Sequence, residues 1–377
     1  MSQCTHKEAM AKIVVLGAGV SGLTSALSLL QLFPEQIQEL TILSSELPGD
    51  YHAHDFTSPW AGANWQSFAK HGNHAQIQRD KLTYTKFEQL AATEPESGVK
   101  TYRLKLINRK ENGAPWFIEQ NFVKDIEYLS DEEMRFRNAD PEIYRGFEFT
   151  SFTVTPVVYC SYLLSKIKKL GGKVQRIGRL SDISDVIDAV GYKPTFVVNC
   201  TGVNAGKLLS KLDPDELSKV HPVKGQILQI YEELPFQLVV DMLPEEDNGL
   251  PNQFLNIFPR GEGGCIVGGI MTPGDWSKTI DPKLSEKILS VCKRHVPELK
   301  SMTVYNSYAA LRPGRTGGVR IELSSYDLPR GEGKLDVVHN YGIAGAGYQS
   351  SYGSAMEVCL LASRILGSPR GTCPFKL

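Results

Sequence analysis

The chain has 377 residues, of which 41% are hydrophobic and 22% are charged, and its formal net charge is −1. This composition is ordinary for a soluble globular protein with two domains or one large one, and the charge balance gives no sign of a nucleic-acid or anionic-lipid partner. The seven cysteines form an odd set without a CxxC spacing. We therefore expect neither a disulfide framework nor a zinc site, and a reducing interior compartment fits better.

The first predicted element is a strand, turn and helix near the N-terminus. A β-branched run at 13–16 leads into a GxGxxG motif, an apolar segment follows, and a second short strand is predicted at 40–43. The uncharged run 13–33 is long enough to cross a bilayer. The glycine spacing and the flanking elements nevertheless favour a buried βαβ unit, and the run lacks the basic start and cleavage site of a secretory signal.

In this context the glycine motif predicts a dinucleotide-binding turn. Gly17 permits the tight turn, Gly19 lets the backbone approach a pyrophosphate, and Gly22 lets helix and strand pack closely. The helix N-terminus offers unpaired N–H groups to the phosphates. The second strand ends in Ser44-Ser45-Glu46, and we expect Ser44 or Ser45 to share ribose binding because Glu46 comes a residue late. The motif alone fits NAD as well as FAD.

The rest of the chain alternates helices and strands. A loop at 50–65 is rich in small residues and tryptophan and suits a wall beside a flat ligand, whereas 66–150 is polar with charged helical stretches. The predicted helices lie at 156–170, 285–296 and 355–366, and the predicted strands at 196–202, 226–231, 254–258 and 265–270. This order predicts an α/β fold with an α+β portion.

Three stretches carry a more specific signal. They are TSPWAGANW at 57–65, LRPGR followed by GGVRIE at 311–322, and VVHNYGIAGAGYQSSYGSA at 337–355. Together with the N-terminal glycine unit they resemble the D-amino-acid oxidase family, especially its fungal members. The resemblance extends over nearly the whole chain in the family's order.

The resemblance implies a Rossmann-type FAD-binding domain (1–65, 155–210 and 325–377) interleaved with a sheet-rich substrate domain (66–154 and 211–324). It implies oxidation of a D-amino acid, neutral ones favoured, by hydride transfer from Cα to flavin N5. Molecular oxygen is then reduced to hydrogen peroxide, and the other products are a 2-oxo acid and ammonia. Family members usually occupy peroxisomes, and the terminal Phe375-Lys376-Leu377 is similar to a peroxisomal address. The cytoplasm is the alternative.

The resemblance also assigns substrate-site residues. Arg315 matches the family's carboxylate-binding arginine, for which a bidentate fork is required, and Arg312 is interpreted as structural. Gly345 matches the carbonyl that receives the substrate amine, while Gln349 and Asn64 match polar positions of the pocket. The positions of Asn256 and Met271 usually carry tyrosine in the family, which predicts an altered substrate preference or weaker turnover.

The residues expected to contact FAD come from the glycine turn, the second strand end, the loop at 57–65 and three later turns. They are Gly17, Ala18, Gly19, Val20, Ser21, Gly22, Ser44, Ser45, Ser58, Ala61, Gly62, Asn64, Thr201, Gly202, Arg315, Gly345, Ala346, Gly347, Tyr348 and Gln349.

Several alternatives stay open at this point. A D-aspartate oxidase would need a second cation, for which Arg260 and Arg320 are candidates, and a glycine, sarcosine or proline oxidase would share the same flavin fold. A flavin-binding but catalytically silent partner protein is a further alternative. No metal is assigned to the loop histidines. A short loop over the pocket is expected at 243–251, and a homo-oligomer is left open.

Overall fold

The structure is a computed structural model that describes residues 10–50, 55–240, 253–328 and 332–368. The strands are β1 Ala11–Leu16, β2 Ile37–Ser44, β3 Val99–Arg109, β4 Glu127–Tyr128, β5 Tyr144–Val154, β6 Lys173–Arg176, β7 Phe196–Asn199, β8 Val220–Ile230, β9 Phe236–Val240, β10 Gln253–Pro259, β11 Cys265–Ile270, β12 Thr272–Pro273, β13 Val304–Arg315, β14 Arg320–Asp327 and β15 Lys334–Tyr341. The helices are α1 Val20–Leu32, α2 His74–Thr93, α3 Trp116–Glu119, α4 Asp131–Phe136, α5 Pro156–Lys169, α6 Val186–Val190, α7 Ala205–Leu208, α8 Asp215–Lys219, α9 Pro282–His295 and α10 Ser351–Leu366.

The first sheet has the strand order β14-β15-β7-β1-β2-β6. β1 pairs in parallel with β2 and β7, and only β14 runs antiparallel, at the edge. Helix α1 packs against α5 and α10, and its buried residues join the largest apolar core. In such sheets ligands bind outside the carboxyl ends of the strands, which here are the turns after Leu16, Ser44 and Asn199.

The second sheet has the order β12-β8-β11-β10-β9-β3-β5-β4, and β13 pairs with β8. The long antiparallel β8–β13 pair alternates its side chains between two faces. Leu228 and Ile230 lie in a core that includes residues of α9, whereas Gly225 and Ile227 line a large cavity on the opposite face. One face of this sheet is therefore core and the other is available to a ligand.

The predicted α/β fold with an α+β portion is confirmed, and the βαβ unit near the N-terminus forms as expected. Helix α5 begins at Pro156 and ends among the lysines 166, 168 and 169, as proline at the first turn and cations at the last turn favour. The first sheet takes its strands from the three ranges expected for an FAD domain, except that β14 begins at Arg320. The domain boundaries themselves stay a prediction.

Within the part of the chain that the structure describes, no helix is long and apolar enough to cross a membrane. Helix α1 has 13 residues. In the same ranges, no three His, Cys, Asp or Glu side chains gather at a site that could hold a metal ion. His52, His54, the loop expected at 243–251 and the terminal Phe375-Lys376-Leu377 lie outside the described residues.

Candidate active site

A cavity of about 1550 Å³ extends from the carboxyl ends of β1, β2 and β7 to the ligand-facing side of β8, β10 and β13. It is lined by the glycine turn at one end and by apolar side chains of the second sheet at the other, including Ile227, Phe254 and Phe258. The two sheets therefore contribute to one elongated site. Its volume suits a dinucleotide together with a small molecule.

The glycine turn lines one end of the cavity. Gly17 has φ +101°, and a Cβ there would lie 2.5 Å from the carbonyl oxygen of Cys200. A Cβ on Gly19 would lie 2.9 Å from Oγ of Ser58. That hydroxyl accepts a hydrogen bond from the N–H of Val20, the first residue of α1. The start of α1 therefore lies at the cavity, where helix N-termini of such turns bind phosphate.

Gly22 belongs to the motif but does not line the cavity. A Cβ on Gly22 would lie 2.0 Å from the carbonyl oxygen of Gly17. The expectation that Gly22 contacts the cofactor is therefore corrected. Gly22 instead lets α1 pack closely against the glycine turn.

The end of β2 brings Ser44, Ser45 and Glu46 to the cavity wall. Oγ of Ser44 accepts from the N–H of Ala18 and donates to the carbonyl oxygen of Glu46, so this hydroxyl ties the glycine turn to the strand end. The Glu46 carboxylate receives a hydrogen bond from Ser45 and an ion pair of 2.7 Å from Arg179. Ser44 thus links two segments of the backbone, whereas the hydroxyl of Ser45 hydrogen-bonds to the Glu46 carboxylate.

Arg312 is the arginine that lines the cavity at the second sheet. Its Nη1 donates to the carbonyl oxygen of Ile270 at 3.1 Å, and among the described residues no carboxylate lies within ion-pair distance of it. Burial lowers the pKa of the Arg312 guanidinium to about 10. A Cβ on Gly345 would lie 3.8 Å from both Arg312 and Phe68, so Gly345 lies between these side chains. An uncompensated guanidinium here is a ready receptor for a ligand carboxylate.

Arg315 does not line the cavity, and the expectation that it binds the substrate carboxylate is corrected. Its Nε and Nη2 donate to the two oxygens of Glu216 at 2.8 and 2.7 Å, and its Nη1 donates to the carbonyl oxygen of Gly318. Burial by itself raises the pKa of Glu216, but hydrogen bonds from Arg315 and Tyr341 outweigh it and lower the pKa to about 2. The guanidinium fork of Arg315 is therefore occupied by a structural ion pair.

The geometric reason is the period of the strand. Arg312 and Arg315 are three residues apart in β13, so their side chains leave opposite faces of the sheet. Tyr308 and Ala310 line the cavity on the same face as Arg312. Arg320, the other cation considered for an acidic substrate, pairs with Asp213 and Glu216 away from the cavity.

The remaining predicted residues all line the cavity. They are Ala18, Val20, Ser21, Ser58, Ala61, Gly62, Asn64, Thr201, Gly202, Asn256, Met271, Gly345, Ala346, Gly347, Tyr348 and Gln349. Two of them carry buried polar atoms without a hydrogen-bond partner in the described ranges, namely Nδ2 of Asn64 and Oδ1 of Asn256. A buried amide atom without a partner is destabilising, so these two atoms are positions where a ligand gains a hydrogen bond.

Gln349 is held by a buried carboxyl group. Its Nε2 donates to Oδ2 of Asp80 at 3.3 Å, and Asp80 also accepts from Ser67, Gln76 and Ser350. Burial raises the pKa of Asp80 to about 6, against the opposing effect of these hydrogen bonds. Asp80 therefore positions Gln349 from behind the cavity wall.

A family model described as FAD dependent oxidoreductase, DAO, matches residues 12–361. The chain belongs to this family of FAD-dependent oxidoreductases. A D-amino-acid oxidase of Schizosaccharomyces pombe is 32% identical, covering 93% of this chain and 95% of the relative. One of Fusarium vanettenii is 31% identical, covering 94% and 97%. A D-aspartate oxidase of Talaromyces thermophilus is 27% identical, covering 92% and 94%.

Solved structures show the same fold at low sequence identity. The glycine oxidase of Bacillus cereus superimposes with a TM-score of 0.71 at 17% identity, covering 95% of this chain and 98% of that one. The L-proline dehydrogenase of P. horikoshii superimposes with a TM-score of 0.64 at 15% identity, covering 97% of this chain and 95% of that one. At these identities the likeness establishes the fold alone.

The residues of this oxidoreductase fit FAD as its cofactor. The crowded positions Gly17 and Gly19 leave no room for a side chain beside the start of α1, which is where a pyrophosphate is held in this fold. Ser45 and Glu46 lie at the strand end where a ribose hydroxyl binds. The residues from Gly345 to Gln349 would hold the ring system between the two sheets.

Sequence reasoning missed three features of the oxidoreductase site. Tyr308 and Ala310 share a face with Arg312, and this period-two signal was present in the sequence of β13. Asp80 lies in a helix of mostly polar residues, where nothing local distinguishes a buried carboxyl group from an exposed one. Trp60 stacks on Tyr308 with ring centroids 3.4 Å apart, and a contact between such distant residues has no local signal.

Proposed function

We propose that this FAD-dependent oxidoreductase oxidises small neutral D-amino acids, with molecular oxygen as the final electron acceptor. The products are the 2-oxo acid, ammonia and hydrogen peroxide. The observation that carries the proposal is Arg312, a guanidinium without a carboxylate partner among the described residues, on a wall of the cavity that also carries apolar side chains such as Ile227 and Phe258. The relatives named D-amino-acid oxidase, at 31% and 32% identity over nearly the whole chain, support the substrate class.

In this proposal the protein binds and orients the substrate. Arg312 receives the α-carboxylate, because a guanidinium presents paired donors that match both oxygens. The carbonyl of Gly345 and Oδ1 of Asn256 are acceptors for the α-amine. The cofactor, when bound, supplies the acceptor for the hydride that leaves the substrate's Cα. This chemistry therefore requires side chains that bind and orient the substrate, and it needs no catalytic acid–base pair.

The apolar lining gives the preference for a neutral side chain. Ile227, Phe254, Phe258 and Ile266 line the same end of the cavity. An uncharged substrate side chain gains about 25 cal/mol for each Å² of apolar surface that it buries there. A buried carboxylate would instead need a second cation.

An acidic D-amino acid is the second candidate, because D-aspartate oxidases are 27% identical over more than nine-tenths of the chain. Neither Arg260 nor Arg320 lines the main cavity, so the cations first considered for this role do not serve it. Lys70 does line the cavity, in the same segment as Phe68. If the acidic substrate is preferred, Lys70→Gln should remove that preference.

The test is peroxide production by the purified FAD-loaded protein with D- and L-alanine, D- and L-valine, D-aspartate, glycine and sarcosine. Turnover of the neutral D-enantiomers alone supports the proposal. Preference for D-aspartate would establish the acidic alternative, and preference for glycine or sarcosine would establish an amine oxidase. Bound FAD with no turnover of any of these compounds would overturn all three and favour a silent flavoprotein.

We further propose that the chain is addressed to peroxisomes by its final residues, Phe375-Lys376-Leu377, which resemble such a signal. The test is the location of a fluorescent fusion with and without these three residues. Peroxisomal fluorescence that depends on them supports the address, whereas diffuse fluorescence in both cases would contradict it. A homo-oligomer also stays a prediction, to be tested by sedimentation.

A further inference from the structure

A second cavity of about 490 Å³ lies beside the main one. Trp60 and Tyr308 line both cavities, and their rings stack with an interplanar angle of 11°. This stacked pair is therefore the partition between the two spaces. The remaining wall of the second cavity includes Gln229, Arg260 and Glu262.

The second cavity continues the ligand-facing side of the same sheet. Along β8, Ile227 lines the main cavity and Gln229 lines the second; along β13, Ala310 lines the main cavity and Asn306 lines the second. Asn306 and Arg312 are six positions apart in β13, which corresponds to roughly 20 Å along the strand, so a small molecule bound at Arg312 does not reach Asn306. Arg312 lines the main cavity and Arg260 lines the second, so we treat the second cavity as a separate site.

Arg260, the residue after β10, is only 6% exposed. Its Nε and Nη1 are buried without a hydrogen-bond partner, and no hydrogen bond from Nη2 is formed within the described residues either. The nearest carboxylate oxygen, Oε1 of Glu262, is 3.9 Å from Nε, beyond hydrogen-bond distance. Within the described residues, the guanidinium therefore has unused donors at the cavity wall.

Arg137 shows how the same protein satisfies a buried arginine that has a structural role. It is 1% exposed, and its three nitrogens donate to Glu133, Glu298 and the carbonyl oxygen of His295. Leaving a buried charge without such partners costs several kcal/mol. The contrast indicates that Arg260 is arranged for a ligand that supplies the missing acceptors.

Two amides and a carboxylate surround the same space. Nδ2 of Asn306 donates to Oε1 of Gln229 at 2.7 Å, which leaves the Gln229 amide nitrogen and the Asn306 carbonyl oxygen for another partner. Glu262 is 47% exposed, and its Oε2 accepts from Oγ1 of Thr155. Since Glu262 would repel a simple anion bound at Arg260, the charge pattern fits a ligand that carries both signs.

We propose that this cavity is a second binding site for a small α-amino acid in its zwitterionic form, with the carboxylate on Arg260 and the ammonium group toward Glu262. A molecule bound at this second site is not oxidised, because the Trp60–Tyr308 partition separates it from the main cavity. It contacts the same Trp60–Tyr308 pair that a substrate contacts from the main cavity. This proposal does not depend on which compound the main site oxidises.

The test is calorimetric titration of the FAD-loaded Arg312→Leu protein, in which the carboxylate receptor of the main site is absent. The probes are L-alanine, propionate, which lacks the amine, and ethylammonium, which lacks the carboxylate. We expect one site for L-alanine, with propionate and ethylammonium binding at least 10-fold more weakly. Absence of L-alanine binding would overturn the proposal.

Substitutions at the second cavity give the matched control. Arg260→Gln should weaken L-alanine binding at least 10-fold in the Arg312→Leu background. Arg260 is buried, so its substitution can also disturb the fold. Glu262→Gln is an independent variant at a half-exposed residue, and it should weaken the binding of L-alanine and strengthen the binding of propionate. L-alanine binding that neither substitution changes would overturn the site, and propionate binding as tight as that of L-alanine would overturn the zwitterion.

Discussion

Gly225 in β8 lies directly against the guanidinium of Arg312 in β13. A Cβ on Gly225 would lie 2.3 Å from Nη1 and 2.6 Å from Cζ and Nη2 of that arginine. The two residues are diagonal neighbours, since Ala310 pairs with Gly225 and Arg312 pairs with Val223. The absence of a side chain at position 225 is therefore what makes room for the cation at the cavity wall.

Gly225→Ala is expected to displace the guanidinium and to lower kcat/KM by roughly 10- to 100-fold, because part of a charge-assisted hydrogen-bond energy of about 1.5–3 kcal/mol is lost. Steady-state kinetics on the preferred D-amino acid measure the effect. In the Arg312→Leu background the same substitution should add less than about a factor of two. An equal loss in both backgrounds would show that Gly225 acts on something other than Arg312.

Arg312→Leu is expected to lower activity without lowering stability, whereas Arg315→Leu is expected to lower stability. Arg312→Leu should lower kcat/KM by about 10- to 150-fold, from the same 1.5–3 kcal/mol, while the FAD absorbance and the unfolding midpoint stay near those of the parent. Arg315→Leu leaves the buried Glu216 carboxylate without its main partner and should destabilise the fold by about 3–5 kcal/mol.

Kinetics and urea unfolding of both proteins decide between the two arginines. Arg312→Lys and Arg315→Lys are the matched conservative pair, since each keeps the charge and removes the bidentate fork. A destabilised Arg312→Leu protein together with a stable but inactive Arg315→Leu protein would reverse the assignment made from the structure.

The glycines of the nucleotide turn are expected to separate cofactor affinity from stability. Gly19→Ala places a Cβ 2.9 Å from Oγ of Ser58, at the start of α1, and should weaken FAD binding by about 10-fold or more while the apoprotein stays folded. Gly22→Ala places a Cβ 2.0 Å from a backbone oxygen and should instead lower the stability of the apoprotein.

FAD titration followed by quenching of flavin fluorescence, and urea unfolding of the apoproteins, measure the two effects. Equal loss of apoprotein stability in both variants would contradict the distinction between a ligand-facing and a packing glycine.

The buried carboxyl group of Asp80 is expected to make stability depend on pH. Burial raises its pKa from 3.8 to about 6, so the native state holds this proton more tightly than the unfolded chain does. Its contribution to the free energy of unfolding is complete below about pH 4 and is lost as the pH rises through 6. A shift of two pKa units corresponds to about 3 kcal/mol.

Asp80→Asn should flatten this slope, because the amide does not titrate, and urea midpoints at pH 4, 5, 6 and 7 measure it. Asp327→Asn is the control for the loss of one carboxylate at a side chain that is exposed. An unchanged slope in Asp80→Asn would assign the pH dependence to other groups.

The sequence by itself determined the nucleotide unit and the fold class. The glycine spacing after a β-branched run has one compact solution, a strand–turn–helix with its N–H groups at a phosphate, and neighbouring residues are enough to specify it. For the same reason most residues of the loop at 57–65 and all residues from Gly345 to Gln349, which were expected to contact FAD, line the cavity. These are local patterns, in which a residue's surroundings are set by the residues next to it.

Only the tertiary structure decided between Arg312 and Arg315. Both belong to one short motif. Because side chains alternate along a strand, the sequence predicts that the two arginines face opposite sides of the sheet, but it does not predict which side is the cavity. That choice is made by Glu216, which pairs with Arg315 across 99 positions of sequence, and by Gly225, which makes room for Arg312 on the neighbouring strand. The burial of Asp80 and the Arg260 guanidinium, whose Nε and Nη1 make no hydrogen bond, are likewise products of packing between distant segments, because desolvation and hydrogen bonding depend on which groups meet in space.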